Sequence, residues 1–185
     1  NEKIIALLPG SRKQEIEMIL PAMLSVVDEF KNYRFVIAAT SPIEKSYYDS
    51  FIKNHESVKI IYDHTYNILS VAEAALIASG TANLEAALLK VPQVVCYKTG
   101  LINYCLARSL IKVKFLSPVN LIEGKEVVKE LIQGKFSKKN LIIELNKILT
   151  EKDLVIKKYR DIENKIRIGG KPSAIAAKIV TDNIL

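Results

Sequence analysis

Apolar residues in this chain come in short unbroken runs, separated by stretches with helical spacing, and the alternation persists as far as Tyr97. Lys3–Leu8 (K-I-I-A-L-L), Arg34–Ala39 (R-F-V-I-A-A), Val58–Tyr62, Ala75–Ala78 and Gln93–Tyr97 (Q-V-V-C-Y) read as strands, continuously apolar rather than alternating. Between the first two, Ile16, Ile19, Leu20, Met23, Leu24, Val27 and Phe30 recur at steps of three and four. They predict a helix that Pro21 either kinks or divides in two. Ile43–Asn54 and Thr65–Ala72 predict two more helices. Another starts near Thr81 and ends near Lys90, ahead of Val91-Pro92. Strands buried on both faces and joined through helices over short loops imply an α/β chain, a parallel sheet flanked by helices. Ligands of such sheets bind beyond the C-terminal strand ends. That places the Pro9–Arg12, Asp63–His64 and Ser79–Thr81 loops on one side of the molecule.

Beyond Tyr97 the pattern is looser. Leu101–Leu110 predicts a helix, Val113–Leu116 a short sixth strand, Ser117–Leu121 a loop and Gly124–Gln133 a short helix. Leu141, Ile142, Leu145, Ile148 and Leu149 then mark a helix, and a long one follows from about Asp153 to Ile168. After Gly169-Gly170, Pro172 opens a last helix. The expected division is one domain over 1–168 and a separate C-terminal helix over 169–185.

Composition sharpens this in three ways. The chain has 185 residues, 49% of them apolar, which suits one domain with a sizeable core. No apolar run approaches the ~20 residues of a spanning helix. Cys96 and Cys105 stand in apolar surroundings without CxxC spacing and read as buried reduced thiols. The net charge of +7 is uneven: residues 1–92 carry 9 Lys/Arg against 11 Asp/Glu, residues 93–185 carry 18 against 9. A basic second half suits an anionic partner, or lysines that merely solvate helix faces; no nucleic-acid signature accompanies it. The chain starts at Asn1, without methionine and close to a strand, which reads as a piece of a longer protein.

The candidate chemistry centres on Ser79-Gly80-Thr81-Ala82-Asn83-Leu84-Glu85, between a strand end and a helix start. Small residues admit a ligand to the backbone, and unpaired N–H groups with the positive helix end favour an anion. Thr81 is a candidate helix cap. Glu85, one turn on among apolar neighbours, reads as a binder of a sugar diol or as a solvated helix glutamate. Gly10-Ser11-Arg12 follows the first strand: a turn with a solvent arginine, or a phosphate hold with a guanidinium fork. It is neither a Walker loop nor GxGxxG. Glu15 either fixes Arg12 or lies on the helix surface. Asn120 is an ordinary turn residue, or a hydrogen-bond partner of a base or phosphate. His64, one of two histidines, lines the site or stands as a plain loop residue. No Ser-His-Asp set and no metal cluster assembles.

L-L-P-G-S-R-K-Q-E-I (7–16), A-L-I-A-S-G-T-A-N-L-E-A-A-L (75–88), V-P-Q-V-V-C-Y (91–97) and F-L-S-P-V-N-L-I-E-G-K-E-V-V-K-E-L-I-Q (115–133) together resemble the lipid-A-disaccharide synthase family, in its C-terminal half. The first two pieces are shared more widely among sugar-nucleotide enzymes; the last is far more specific. The resemblance implies a Rossmann-like domain, one half of a GT-B glycosyltransferase. The reaction it implies joins UDP-2,3-diacylglucosamine to 2,3-diacylglucosamine 1-phosphate (lipid X), with UDP leaving. Arg12, Ser79 and Thr81 would stabilise the leaving group. Gly10, Ser11, Arg12, Ser79, Gly80, Thr81, Glu85 and Asn120 would bind the nucleotide, with Glu15 and His64 in support. The general base would lie in the N-terminal domain, and no cofactor or metal is implied. The implied setting is cytoplasmic and peripheral on the inner membrane of a Gram-negative bacterium. Leu101–Leu116, with Arg108, Lys112 and Lys114, is a candidate membrane contact or a core helix with surface lysines. The final helix would pack on its own domain, on the N-terminal domain or on a neighbouring chain. The alternatives are the nucleotide half of a UDP-GlcNAc 2-epimerase or of the peptidoglycan UDP-GlcNAc transferase, or a stand-alone UDP-binding module.

Overall fold

The computed structural model describes residues 2–78, 80–100 and 114–167. Ser79, Cys105, the predicted helix over 101–110 and the predicted final helix lie outside them. The strands are β1 (Lys3–Leu8), β2 (Tyr33–Ala39), β3 (Val58–Tyr62), β4 (Ala72–Ala78), β5 (Gln93–Tyr97) and β6 (Lys129–Ile132). They form one 6-stranded sheet in the order β3-β2-β1-β4-β5-β6, with every pairing parallel. The chain steps outward from β1 to β3, then returns to the other side of β1 as β4. Leu7 faces Ile37 on one side and Leu76 on the other. This reversal opens a crevice beyond the C-terminal ends of β1 and β4.

The helices are α1 (Lys13–Leu24), α2 (Lys45–Ile52), α3 (Thr65–Val71), α4 (Ala82–Leu88), α5 (Pro118–Glu123), α6 (Lys138–Thr150) and α7 (Lys152–Arg167). Successive strand residues feed opposite faces of the sheet. Ile5, Leu7, Phe35, Ile37, Ala74 and Leu76 pack with Ile16, Leu20 and Met23 of α1 and Leu141 and Leu145 of α6. Ala6, Leu8, Val36, Ala38, Ala75 and Ile77 pack with Ile68 and Leu69 of α3 and Ala86 of α4. Burial on both faces is why these strands read as unbroken apolar runs. Cys96 is free and buried.

Of the two readings of Pro21 the structure selects one helix: α1 runs through it and ends at Leu24, one turn later. Pro21 lacks the N–H that would meet the Glu17 carbonyl, and the buried face of Ile16, Ile19, Leu20, Met23 and Leu24 holds the helix in spite of that loss. Three other expectations change. The sixth strand is β6, not Val113–Leu116, of which residues 114–116 are non-strand and Val113 lies outside the described residues. The predicted loop at Ser117–Leu121 is mostly α5, and the predicted helix over Gly124–Gln133 is instead a turn and bends over 124–128 followed by β6, with Gln133 opening a short 3-10 turn. Ser117 accepts the Asn120 N–H as N-cap, Pro118 takes the first turn, and Gly124 closes α5 with φ 67. Val127, Val128, Leu131 and Ile132 have a spacing that suits a helix as well as a strand. The free edge of β5 decides it, pairing Val94 with Lys129 through Tyr97 with Ile132.

Burial has a consequence for alkaline stability. It pushes the Tyr48 and Tyr159 phenols above their ordinary value of 10.0. Tyr47 is pushed up to about 12, by burial first and then by Glu17. In the unfolded chain these phenols ionise near their ordinary value while the folded chain keeps the protons. The unfolded state then binds fewer protons, so stability is full below about pH 10 and falls as pH rises toward about 12. Urea midpoints measured across that window should fall steadily; a flat profile would contradict the assignment.

Candidate functional site

Beyond the ends of β1, β2, β3 and β4 lies a cleft of about 330 Å³. Its walls come from four loops: Gly10, Ser11 and Arg12 after β1, Thr40 after β2, Thr65 after β3, and Gly80, Thr81 and Ala82 after β4. Leu8 and Ile77 form part of its apolar lining. α1 and α4 both begin at this cleft, so their first-turn N–H groups and positive dipole ends gather there.

The first loop is shaped by one glycine and one carboxylate. Gly10 has φ +108, and a Cβ on it would stand 2.5 Å from Oε2 of Glu15. Only glycine holds that conformation in that space. Glu15, in the first turn of α1, accepts the Ser11 N–H through Oε2 at 3.1 Å and Nη1–H of Arg12 through Oε1 at 3.0 Å. Behind the second and third loops, Asp63, at φ 55, accepts the Ser41 N–H at 3.0 Å. That bond ties the ends of β2 and β3 together.

The structure therefore brings Gly10, Ser11, Arg12, Glu15, Gly80 and Thr81 to one cleft. Thr81 is not a side-chain cap: its own backbone is helical (φ −63, ψ −31) and its hydroxyl makes no capping bond. Glu85 is exposed, not set in apolar surroundings, because α4 turns Asn83, Ala86 and Ala87 inward instead. It stands one turn beyond Thr81 and is not part of the cleft wall. His64 is exposed and lines a separate groove with Ile4, Val36 and Ile61, so it does not line the cleft.

Asn120 is the clearest correction. It is fully buried. Its Oδ1 accepts the N–H groups of Val127 (2.7 Å) and Val128 (2.9 Å), and its Nδ2 donates to the Val128 carbonyl and to Glu130, both at 2.8 Å. Both donors and both acceptor positions of the amide are used, so nothing remains for a ligand. Glu130 in turn accepts the Leu116 and Ser117 N–H groups, each at 2.9 Å. The most diagnostic stretch of the sequence is thus a lock between α5 and β6.

Sequence reasoning passed over Thr40 and Thr65, whose signal was their position at strand ends. It also passed over Asn83, fully buried in the first turn of α4. Asn83 binds Gln93 of β5 and accepts the Val119 N–H at 3.1 Å, which joins the start of α4 to α5. Its signal was a second polar residue, beside Glu85, on a helix that is otherwise apolar. Among the described residues, no three of His, Cys, Asp and Glu converge as a metal group.

The strand order and the crevice at its reversal point make this a Rossmann-like domain, one half of a GT-B glycosyltransferase fold. It matches the glycosyltransferase of kitacinnamycin with TM-score 0.65 at 13% identity, over 97% of this chain and 43% of that one. It matches UDP-GlcNAc 2-epimerase from Neisseria meningitidis with TM-score 0.60 at 21% identity, over 98% and 45%. The chain belongs to the lipid-A-disaccharide synthetase family, whose model matches residues 1–183. Lipid-A-disaccharide synthase of Psychromonas ingrahamii is 37% identical over 157 residues, 80% of this chain and 40% of that protein. The enzyme of Syntrophus aciditrophicus is 31% identical over 186 residues, 96% and 49%. The chain spans about half the length of these relatives, or less.

Proposed function

We propose that this chain is the UDP-sugar-binding half of an enzyme that transfers 2,3-diacylglucosamine from UDP to lipid X, yielding the β-1′,6-linked disaccharide 1-phosphate and UDP. The observation that carries the reading is the cleft itself. Two helix starts, two glycine loops and Arg12 converge beyond the switch point of the sheet, in a chain of this family. The Neisseria meningitidis neighbour, whose fold is shared, is described as bound to UDP-GlcNAc.

In this reading the 6-hydroxyl oxygen of lipid X attacks the donor anomeric carbon as the bond to the UDP oxygen breaks, with inversion. The hydroxyl proton passes to a base in the N-terminal half. The negative charge that builds on the departing diphosphate meets the amides of the Gly80–Ala82 turn and the Arg12 guanidinium. Ser79 belongs to that turn in sequence. Glu85, one turn along α4, accepts hydrogen bonds from the ribose hydroxyls. Both substrates carry acyl chains, so the whole enzyme works at the inner membrane surface. Among the described residues no helix is long and apolar enough to cross a membrane.

Calorimetric titration tests this. UDP binds the wild type. Arg12→Ala weakens UDP about tenfold and leaves uridine nearly unchanged, since its target is phosphate. Glu85→Ala weakens UDP and uridine alike. An equal loss of both ligands in Arg12→Ala would reject the phosphate role, and unchanged UDP binding in Glu85→Ala would reject the ribose role. Residues 1–185 alone should form no disaccharide; robust turnover by them would overturn the division of labour.

A further inference from the structure

The geometry points to Glu15 as a positioning residue that holds Arg12 at the cleft wall in readiness for a diphosphate. This rests on the reading of the cleft as a UDP-sugar site. One carboxylate ties down the loop by both oxygens: Oε2 takes the Ser11 N–H and Oε1 takes Nη1 of Arg12. Gly10 packs directly on this side chain, since an added Cβ there would also lie 2.9 Å from the Glu15 Cβ. The Arg12 side chain is 81% exposed, and Glu15 is its only hydrogen-bond or ion-pair partner among the described residues. Without Glu15, a long side chain at the mouth of the cleft is left to sample its rotamers.

Two consequences follow for the ligand. The Ser11 N–H is committed to Glu15, so beside the Ser11 hydroxyl the charged group this loop offers is Arg12. Arg12 uses one N–H on Glu15 and keeps the rest of its guanidinium for the ligand. Ordering such a side chain in advance is worth about two- to tenfold in affinity. The opposing effect is repulsion between the Glu15 carboxylate and the phosphates. The pair sits at the surface, where water and salt weaken both effects; the tether is a direct hydrogen bond at 3.0 Å while the repulsion acts over a longer, more screened distance, so ordering is expected to win.

The test uses UDP, uridine and inorganic pyrophosphate, titrated into wild type, Glu15→Gln, Arg12→Ala and the double variant. Glutamine keeps an oxygen for the Ser11 N–H but turns an NH2 group toward Arg12, so the loop stays and the tether goes. Melting curves confirm that each variant is folded. Glu15→Gln should weaken UDP and pyrophosphate about three- to tenfold, leave uridine unchanged, and have no further effect once Arg12 is alanine. Unchanged or tighter phosphate binding in Glu15→Gln would overturn the proposal. So would an equal loss in the presence and absence of Arg12, which is what a merely structural role produces. Pyrophosphate binding to the wild type without UDP binding overturns the nucleotide reading, and the pyrophosphate arm then judges Glu15. Binding of neither overturns both.

Discussion

Asn120→Ala should lower folding stability by about 3–5 kcal/mol, while the molecules that remain folded bind UDP as before. The substitution strips partners from the N–H groups of Val127 and Val128, from the Val128 carbonyl and from the Glu130 carboxylate. Glu130 keeps the Leu116 and Ser117 N–H groups, and each of the three buried backbone groups left unpaired contributes about 1–3 kcal/mol. Partial relaxation keeps the sum within the range of the more damaging single mutations. Loss of the hook at Val127 and Val128 also loosens β6, which among the described residues pairs only with β5, at one edge of the sheet. Urea denaturation read by circular dichroism measures this. A variant within about 1 kcal/mol of wild type with weakened UDP binding would restore Asn120 to the ligand and refute the lock.

Gly10→Ala should weaken UDP at least tenfold, with a smaller stability loss of about 1–3 kcal/mol. Alanine resists φ +108, and its Cβ would collide with Glu15 at 2.5 Å and 2.9 Å. The loop must move, and Arg12 and Ser11 move with it. The fold suffers less, because the loop lies over the cleft and not in the core. Removing the Glu15 carboxylate as well should not restore binding, since the positive φ and the contact with the Glu15 Cβ both remain. Gly80 is the control. A Cβ there meets nothing within 4 Å, so Gly80→Ala should fold normally. A loss of UDP affinity in it would report close approach of the ligand to the Gly80 backbone. Gly10→Ala with wild-type affinity would show that the shape of this loop is irrelevant to the nucleotide.

The first five strands were legible because each is written as a largely apolar run; β1, β2, β4 and β5 are buried over most of their length, while the edge strand β3 exposes Lys59 and Ile61. The cleft was legible for the same reason: parallel strands send their C-terminal loops to one side, so Gly10–Arg12 and Gly80–Thr81 had to meet. The region after Tyr97 was not legible. Val127, Val128, Leu131 and Ile132 satisfy two periodicities, and only the unpaired edge of β5 selects one. The exposure of Glu85 was not legible, because apolar neighbours in sequence do not share a helix face; Ala86 and Ala87 turn inward while Glu85 turns out. Of the two readings of His64 the structure selects the one away from the cleft: Thr65, not His64, reaches the cleft, and a single step along the chain separates the two grooves.

By itself, then, the amino-acid sequence determined the layered α/β architecture, the side of the sheet on which the cleft opens, and the family. Those depend on local periodicity, on small residues at turns and on motif chemistry, all written along the chain. Only the tertiary structure decided the sixth strand, the pairing of Glu15 with the Gly10 loop, and the work of Asn120. A buried amide and a ligand-binding amide are the same residue in the same motif. What separates them is whether Val127, Val128 and Glu130 close around the side chain, and that is settled by packing.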